Sequence, residues 1–351
     1  MLWCTTRNND VVQCDPVILD RGKHMKRREF ITFLGGAAAW PIAAQAQQGK
    51  LPRVGYLSDE PPEPNLFHSR DYILARLDEL GYRDGRNIII EYRYADGQAE
   101  KLPSMAAELV GIPVDLIVAI GTPASRAALA ATRTIPIVMA RIGDPVGYGL
   151  VASLARPGGN ATAVSVFTEE LAQKRLEVLK DAVPGLSRVC ALYQSNFPPS
   201  EGELKQFMAA APSLKVQVQT VGIRNRSAME GALPEIMAGS PQALFVVSSL
   251  LFELIIPWQT VNLVLKSGLP ALYVRREFPE IGGLMSYGIP YREMCRTAAG
   301  YIVKILRGEK AGDLPVQLPV KIELVVNLKT ARALNVAIPE LLLARADEVI
   351  E

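Results

Sequence analysis

From residue 51 onward, short apolar runs alternate with longer stretches that have the apolar spacing of helices. The runs are rich in Val and Ile, as is typical of strands buried on both faces. Stretches 67–80 and 102–110 have helical length and patterning. Such alternation predicts a parallel sheet with helices on both faces. The apolar runs in the first half lie at 54–57, 88–92, 116–120, 135–140 and 164–167.

The second half of the chain repeats this scheme. Residues 53–57 have a similar counterpart at 188–192, and residues 116–120 have one at 244–248. Two α/β lobes of the same winding are therefore expected. Residues 215–219 alternate polar and apolar side chains, which predicts an edge strand with one wet face. The other apolar runs of this half are 189–193, 216–221, 244–247 and 271–274.

The beginning of the chain has the features of an export signal. Paired arginines precede an apolar run at 30–46, and the run ends in a small-x-small cleavage pattern at Ala46. This order resembles a twin-arginine signal. Gly and Pro residues interrupt the run, so it is irregular for a membrane span of about 20 residues. We expect 25–46 to be a signal peptide cleaved after Ala46, with an uncleaved anchor as the alternative, and 1–24 to be an untranslated or disordered extension.

Composition and charge narrow the possible functions. The 38 Lys+Arg and 36 Asp+Glu residues nearly balance, and aromatic residues make up only 7%, so no nucleic-acid partner is expected. After cleavage at Ala46 the only histidine is His68 and the only cysteines are Cys190 and Cys295. These residues predict no metal site and no cofactor, and the two cysteines are interpreted as buried thiols.

Motifs for catalysis are absent from the sequence. It contains no nucleophile elbow, phosphate-binding loop, dinucleotide fingerprint or metalloprotease helix motif. His68 is interpreted as a solvent-facing or cleft-rim residue. The adjacent acids Asp59 and Glu60, like Glu169 and Glu170, are interpreted as solvated loop and helix-start residues. No catalytic residue is therefore assigned.

Three local features are candidate ligand contacts. At Gly121-Thr122-Pro123 a buried strand leads into a helix, whose free N–H groups and dipole suit a carboxylate, although a capped helix without ligand is the alternative. Asp144 either accepts from a ligand ammonium or makes a turn before Pro145. Tyr287 either lines a cleft or packs in a seam between the lobes.

Several collinear strings together resemble one known family. They lie at 135–138, 143–146, 149–160, 282–288 and 326–331. The chain resembles, over nearly all of 50–351, the ABC-transporter substrate-binding proteins that include tryptophan- and tyrosine-type members. The resemblance implies a type I periplasmic binding protein: an α/β fold of two doubly wound parallel-sheet lobes, joined by a three-strand hinge, that close on a small ligand.

The resemblance also implies lobe boundaries and ligand contacts. Lobe 1 would comprise 50–165 plus 287–325, and lobe 2 would comprise 166–286 plus 326–351. A ligand carboxylate would be held on the first lobe and its ammonium by Asp144, although Gly147-Tyr148 departs from the expected spacing after Asp-Pro-Val. The implied ligand-binding residues are Ser58, Gly121, Thr122, Ala124, Asp144, Asn196, Ser249 and Tyr287.

For function, the resemblance implies a monomeric periplasmic protein that delivers an amino acid or related carboxylate to an ABC permease in the membrane. Two alternatives share the sequence features. One is a binding protein that reports to a membrane sensor, and the other is an exported enzyme on the same fold.

Overall fold

The computed structural model describes residues 51–63, 67–166 and 171–351. The predictions for 1–24 and 25–46, and for Glu169 and Glu170, lie outside these residues. Within them, no helix is long and apolar enough to cross a membrane.

The first lobe is built on a five-stranded, all-parallel sheet in the order β2-β1-β3-β4-β5. The central strand, β3, is buried at every position, as expected where helices cover both faces. The strands are β1 (Arg53–Ser58), β2 (Ile89–Tyr94), β3 (Leu116–Ile120), β4 (Ile137–Ile142) and β5 (Ala161–Ser165). The helices of this part of the chain are α1 (Ser69–Glu79), α2 (Leu102–Val110) and α3 (Thr122–Ala131).

The second lobe contains a seven-stranded sheet in the order β12-β11-β10-β9-β8-β6-β7. Only the β10 and β11 pair is antiparallel. The strands are β6 (Arg188–Gln194), β7 (Gln217–Ile223), β8 (Ala243–Val246), β9 (Ala271–Tyr273), β10 (Met285–Gly288), β11 (Glu323–Asn327) and β12 (Glu348–Ile350). The longer connections hold α4 (Ala172–Ala182), α5 (Pro198–Ala210), α6 (Arg226–Glu230), α7 (Ala232–Ala238), a π-helical turn (Leu251–Ile255), α8 (Pro257–Ser267), α9 (Glu277–Glu280), α10 (Tyr291–Leu306), α11 (Leu328–Ala333) and α12 (Glu340–Leu343).

The two lobes share one winding. The order β2-β1-β3-β4-β5 in the first recurs as β7-β6-β8-β9-β10 in the second, which confirms the predicted duplication. Strand β7 lies at the sheet edge with one partner, so the predicted edge strand is also confirmed. The winding reverses direction between β1 and β3, and between β6 and β8. In open α/β sheets, ligands bind beyond the carboxyl ends of the strands at such points.

The chain passes between the two sheets near β5, β10 and β11. Helix α10 follows a strand of the second sheet but packs against α1 and β4, with Cys295 and Ile302 in the first lobe's core. Strands β10 and β11 pair with each other in the second sheet, so the boundaries expected at 287 and 325 fall within strands. Cys190 and Cys295 are buried free thiols, as predicted.

Candidate functional site

A cavity of about 110 Å³ lies between the carboxyl ends of the two sheets. A single water needs roughly 10–15 Å³ on this scale, so the cavity has room for a small solute. Both lobes contribute walls that combine charged groups with aromatic and aliphatic side chains. The first lobe supplies Asp59, Gly121, Thr122, Pro123, Arg141, Gly143 and Tyr148, and the second supplies Arg175, Phe197, Pro199, Glu203, Ser248, Ser249, Leu250, Glu253 and Arg275.

An irregularity in β4 carries Arg141 into the cavity wall. The register with β5 shifts between Ala140 and Ile142, and Arg141 between them has φ +58°. Bulges of this kind redirect side chains and occur next to functional sites. The left-handed conformation is costly for a residue other than glycine, so the surrounding structure must hold it in place. The Arg141 guanidinium donates through Nη2 to Asp59 Oδ1.

Asp59 lies directly after β1, and its carboxylate packs against the N-terminus of α3. Its side chain is only 5% exposed. A Cβ added at Gly121 would lie 2.9 Å from Asp59 Cγ, and Gly121 has φ +89°. The helix N-terminus favours a negative charge there. Burial raises the pKa of Asp59 to about 6, although the neighbouring Arg141 guanidinium opposes the rise.

The second lobe contributes a chain of buried ion pairs. Arg175 on α4 donates to Glu203 on α5, whose Oε2 accepts from the Ser248 N–H at 3.0 Å. The Ser248 hydroxyl donates to Glu253 Oε1 at 2.6 Å, and Arg275 Nη1 donates to Glu253 Oε2 at 3.4 Å. These four charged side chains are at most 5% exposed. The second lobe therefore faces the first with buried charged side chains that are paired with one another.

Beside the cavity, the two lobes contact each other directly. Phe67, from the connection between β1 and α1, packs in the second lobe's apolar core, and its ring centroid lies 4.9 Å from that of Phe278. Arg275 Nη2 donates to the Phe67 carbonyl oxygen at 3.2 Å, and the guanidinium lies 3.8 Å from the ring centroid of Tyr291. We call Phe67, Arg275 and Tyr291 the interlobe latch.

Most of the described chain matches one family. The sequence model for the ABC transporter substrate binding protein family covers residues 62–350. The chain belongs to this family. Among curated proteins, this substrate-binding protein is 29% identical over 272 residues to a tyrosine-binding protein of Clostridioides difficile (strain R20291), which covers 78% of each chain.

Solved structures agree with this assignment. A Streptococcus pneumoniae ABC domain in complex with L-Trp has a TM-score of 0.74 and 30% identity, and covers 86% of this chain and all of that one. A conserved domain protein from Vibrio cholerae has a TM-score of 0.76 at 26% identity, with the same coverage. A ligand-free, open substrate-binding protein from Clostridium difficile has a TM-score of 0.62 at 26% identity, covering 85% of this chain and 99% of that one. Two of these relatives are named as binding proteins: the tyrosine-binding protein and the ligand-free, open substrate-binding protein.

Three of the residues predicted from sequence line the cavity of this substrate-binding protein: Gly121, Thr122 and Ser249. Ala124 follows them on α3, but its side chain is buried in the first lobe's core. Ser58 is fully buried, and its hydroxyl accepts from the Glu60 N–H at 3.1 Å.

The other three predicted residues serve local structure. Asp144 Oδ1 accepts from the N–H groups of Val146 at 3.1 Å and Gly147 at 2.8 Å, so the structure places it in the turn, the second of its two alternatives. Asn196 is exposed, with φ +65° between β6 and α5. Tyr287 is half-buried against the second lobe's own core. None of the three lines the cavity.

The interpretation of the residues after β1 as solvated was wrong. Asp59, Glu60 and His68 are at most 3% exposed. His68 Nε2 lies 2.6 Å from the Pro61 carbonyl oxygen, and its Nδ1 lies 3.2 Å from Glu60 Oε2. Asp59 is buried against a distant partner, Arg141, whereas Glu60 is held by Ser69 and lies beside His68, both close in sequence. The alternation of apolar and polar residues shows neither contact.

The charged residues that dominate the cavity were missed from sequence. Arg141, Arg175, Glu203, Glu253 and Arg275 belong to no motif. One weak signal was available, because Arg141 lies at the end of an apolar run and Arg275 directly after another. In a parallel sheet both positions lie at the carboxyl edge, where ligands bind.

Proposed function

We propose that this substrate-binding protein captures a small ligand, an amino acid, in the cavity between its lobes and delivers it to an ABC permease. One observation carries the proposal: a cavity at the carboxyl ends of both sheets is lined by cationic and anionic side chains side by side. Such a site suits a ligand that carries both charges. The tyrosine-binding relative and the L-Trp complex support the same ligand class.

Capture would proceed by closure of the lobes. The chain is more similar to the L-Trp complex than to the ligand-free open relative, with TM-scores of 0.74 and 0.62. Together with the interlobe latch, this similarity supports a closed arrangement around the cavity. Hinge closure on a small ligand is a common mode of binding in two-lobe proteins. Binding and release need no bond to break, so the proposed role involves no catalysis.

The proposed place of action is the periplasm, where the protein would work as a monomer. The paired arginines and the cleavage pattern at Ala46 support export through a twin-arginine signal. A ligand collected there reaches the cell interior only through a membrane partner, which is why the proposal includes a permease.

A thermal-shift screen of the purified protein tests this function. The panel holds amino acids, small carboxylates, sugars and purines, and calorimetry follows each hit. A ligand at 100 times its Kd stabilises by about 2.7 kcal/mol, which raises the unfolding midpoint by several degrees. We expect shifts with amino acids only. Shifts with sugars or purines, or no shift with any amino acid, would overturn the proposal.

A further inference from the structure

We infer that Asp59 and Arg141 determine the specificity of the site: Asp59 binds the ammonium group of the ligand and Arg141 binds its carboxylate. Both groups must then be attached to the same carbon atom of the ligand. The inference rests on the proposed function and names its substrate class as α-amino acids. The two residues that would contact the ligand, Asp59 and Arg141, form an ion pair with each other in the first lobe.

Arg141 has hydrogen-bond donors left for a ligand. A guanidinium has five N–H donors on three nitrogens. Of the three side-chain nitrogens of Arg141, only Nη2 has a hydrogen-bond partner among the described residues. Its Nε is buried without a partner. In contrast, all three side-chain nitrogens of Arg275 donate to protein oxygens. Leaving a buried donor unpaired costs free energy, which a ligand carboxylate at Arg141 would recover.

Asp59 is the matching acceptor. The other two acids of the cavity wall are each held by two donors: Glu203 by Arg175 and the Ser248 N–H, and Glu253 by Ser248 and Arg275. For Asp59, Arg141 is the one side-chain donor among the described residues. Its carboxylate therefore has capacity for a ligand ammonium at the cavity surface.

The charge of the whole wall favours a ligand with no net charge. Three arginines and three acids line the cavity, namely Arg141, Arg175, Arg275, Asp59, Glu203 and Glu253. An amine or a carboxylic acid alone would leave one unbalanced charge among largely buried side chains, which is unfavourable away from bulk water. A zwitterion keeps the balance.

The contact between Asp59 and Arg141 also limits the distance between the two ligand charges. Because the two side chains touch, a ligand reaches both only if its ammonium and carboxylate are neighbours. An α-amino acid meets this condition. An ω-amino acid, whose charges are separated by several methylene groups, does not.

Calorimetry with matched probes tests the pair. The probes are L-tyrosine, tyramine, 3-(4-hydroxyphenyl)propionate, L-leucine and 6-aminohexanoate. We expect Arg141→Gln to lower the affinity for L-tyrosine about 100-fold and the affinity for tyramine less than about 3-fold, because only L-tyrosine has a carboxylate that Arg141 can bind. Asp59→Asn should lower the affinity for L-tyrosine about 100-fold and the affinity for 3-(4-hydroxyphenyl)propionate less than about 3-fold, because the propionate has no ammonium group. The unmodified protein should bind L-leucine or L-tyrosine and not 6-aminohexanoate.

Control variants separate this role from a structural one. Arg83→Gln and Asp78→Asn remove an exposed ion pair of the same lobe and should leave every affinity unchanged. Asp59→Asn combined with Arg141→Gln removes both buried charges together, so it should fold and still fail to bind L-tyrosine. Arg141→Lys keeps the positive charge but loses the planar guanidinium, which can donate two parallel hydrogen bonds to a carboxylate. This variant should bind L-tyrosine more weakly than the unmodified protein.

The outcomes distinguish the two proposals. If the unmodified protein binds neither L-tyrosine nor L-leucine, nor any other α-amino acid in the screen, the proposed function fails and this inference fails with it. If it binds one of them while Arg141→Gln and Asp59→Asn retain that affinity, or lose it equally for zwitterion, amine and acid, only the inference is overturned.

Discussion

At the scale of single residues, Gly121 shows how closely the charged end of the cavity is packed. Two separate effects disfavour a side chain there: the positive φ of +89° and the collision of a Cβ with the Asp59 carboxylate. Gly81 has nearly the same φ, +88°, with nothing within 4 Å of an added Cβ. The two glycines therefore separate backbone strain from collision.

We expect Gly121→Ala to lower the free energy of unfolding by more than Gly81→Ala, for which backbone strain alone predicts about 1–3 kcal/mol. Gly121→Ala should also weaken amino-acid binding, because it displaces Asp59, while Gly81→Ala should leave binding intact. Urea denaturation and calorimetry measure the two effects. Equal losses of stability and unchanged binding in both variants would show that the Asp59 contact is unimportant.

Asp59 also predicts a pH dependence of stability. Burial raises its pKa to about 6 from the ordinary 3.8, so between those values the folded protein holds a proton that the unfolded chain has released. The free energy of unfolding contributed by this group therefore falls as pH rises from about 4 to about 6, by up to about 3 kcal/mol.

Asp59→Asn removes this titration. In denaturation curves recorded between pH 4 and pH 6.5, the difference in unfolding free energy between Asp59→Asn and the unmodified protein should grow in favour of the variant as pH rises. Other carboxylates titrate in both proteins, so the difference isolates Asp59. A constant difference across this range would contradict the raised pKa.

At the scale of elements, the sequence predicts which segments form strands and misses how one of them ends. The apolar run 135–140 correctly locates β4, but the strand is shifted to Ile137–Ile142 and is irregular at Arg141. No glycine marks the positive φ at that position. The irregularity arises from pairing with β5 and contacts with Asp59, both of which are long-range.

The same contrast explains which site residues were predictable. Gly121, Thr122 and Ser249 follow buried parallel strands, so the run of apolar residues alone puts them at the carboxyl edge. Asp144 also follows such a strand, yet its own turn satisfies its carboxylate. Local sequence offered both interpretations of Asp144, and only the folded chain distinguishes them.

At the scale of the whole molecule, the repeated alternation and the paired strings at 53–57 and 188–192 and at 116–120 and 244–248 predicted two lobes of one winding. They gave no information on how the lobes meet. Phe67 reads as an ordinary apolar residue before a helix, although its side chain is buried in the core of the other lobe. Contacts between lobes leave no periodic pattern in sequence, because each depends on one residue finding a partner far along the chain.

The interlobe latch predicts a change in shape. Phe67→Ala should shift the ligand-free protein toward an open form and raise its radius of gyration in small-angle scattering, because the second lobe loses a fully buried ring. Phe207→Ala is the control, since Phe207 is equally buried within one lobe. We expect it to cost about 3–5 kcal/mol of stability without opening the molecule. An unchanged radius in Phe67→Ala would mean that the latch does not hold the lobes.

The latch also bears on the timing of delivery. Phe67 and Arg275 join the lobes through the protein's own side chains, so we expect these contacts to break before a bound solute is released. Slow release would keep a ligand bound while the protein diffuses. In the proposed delivery, the permease would then have to separate the ring of Phe67 from the core of the second lobe before it receives the ligand.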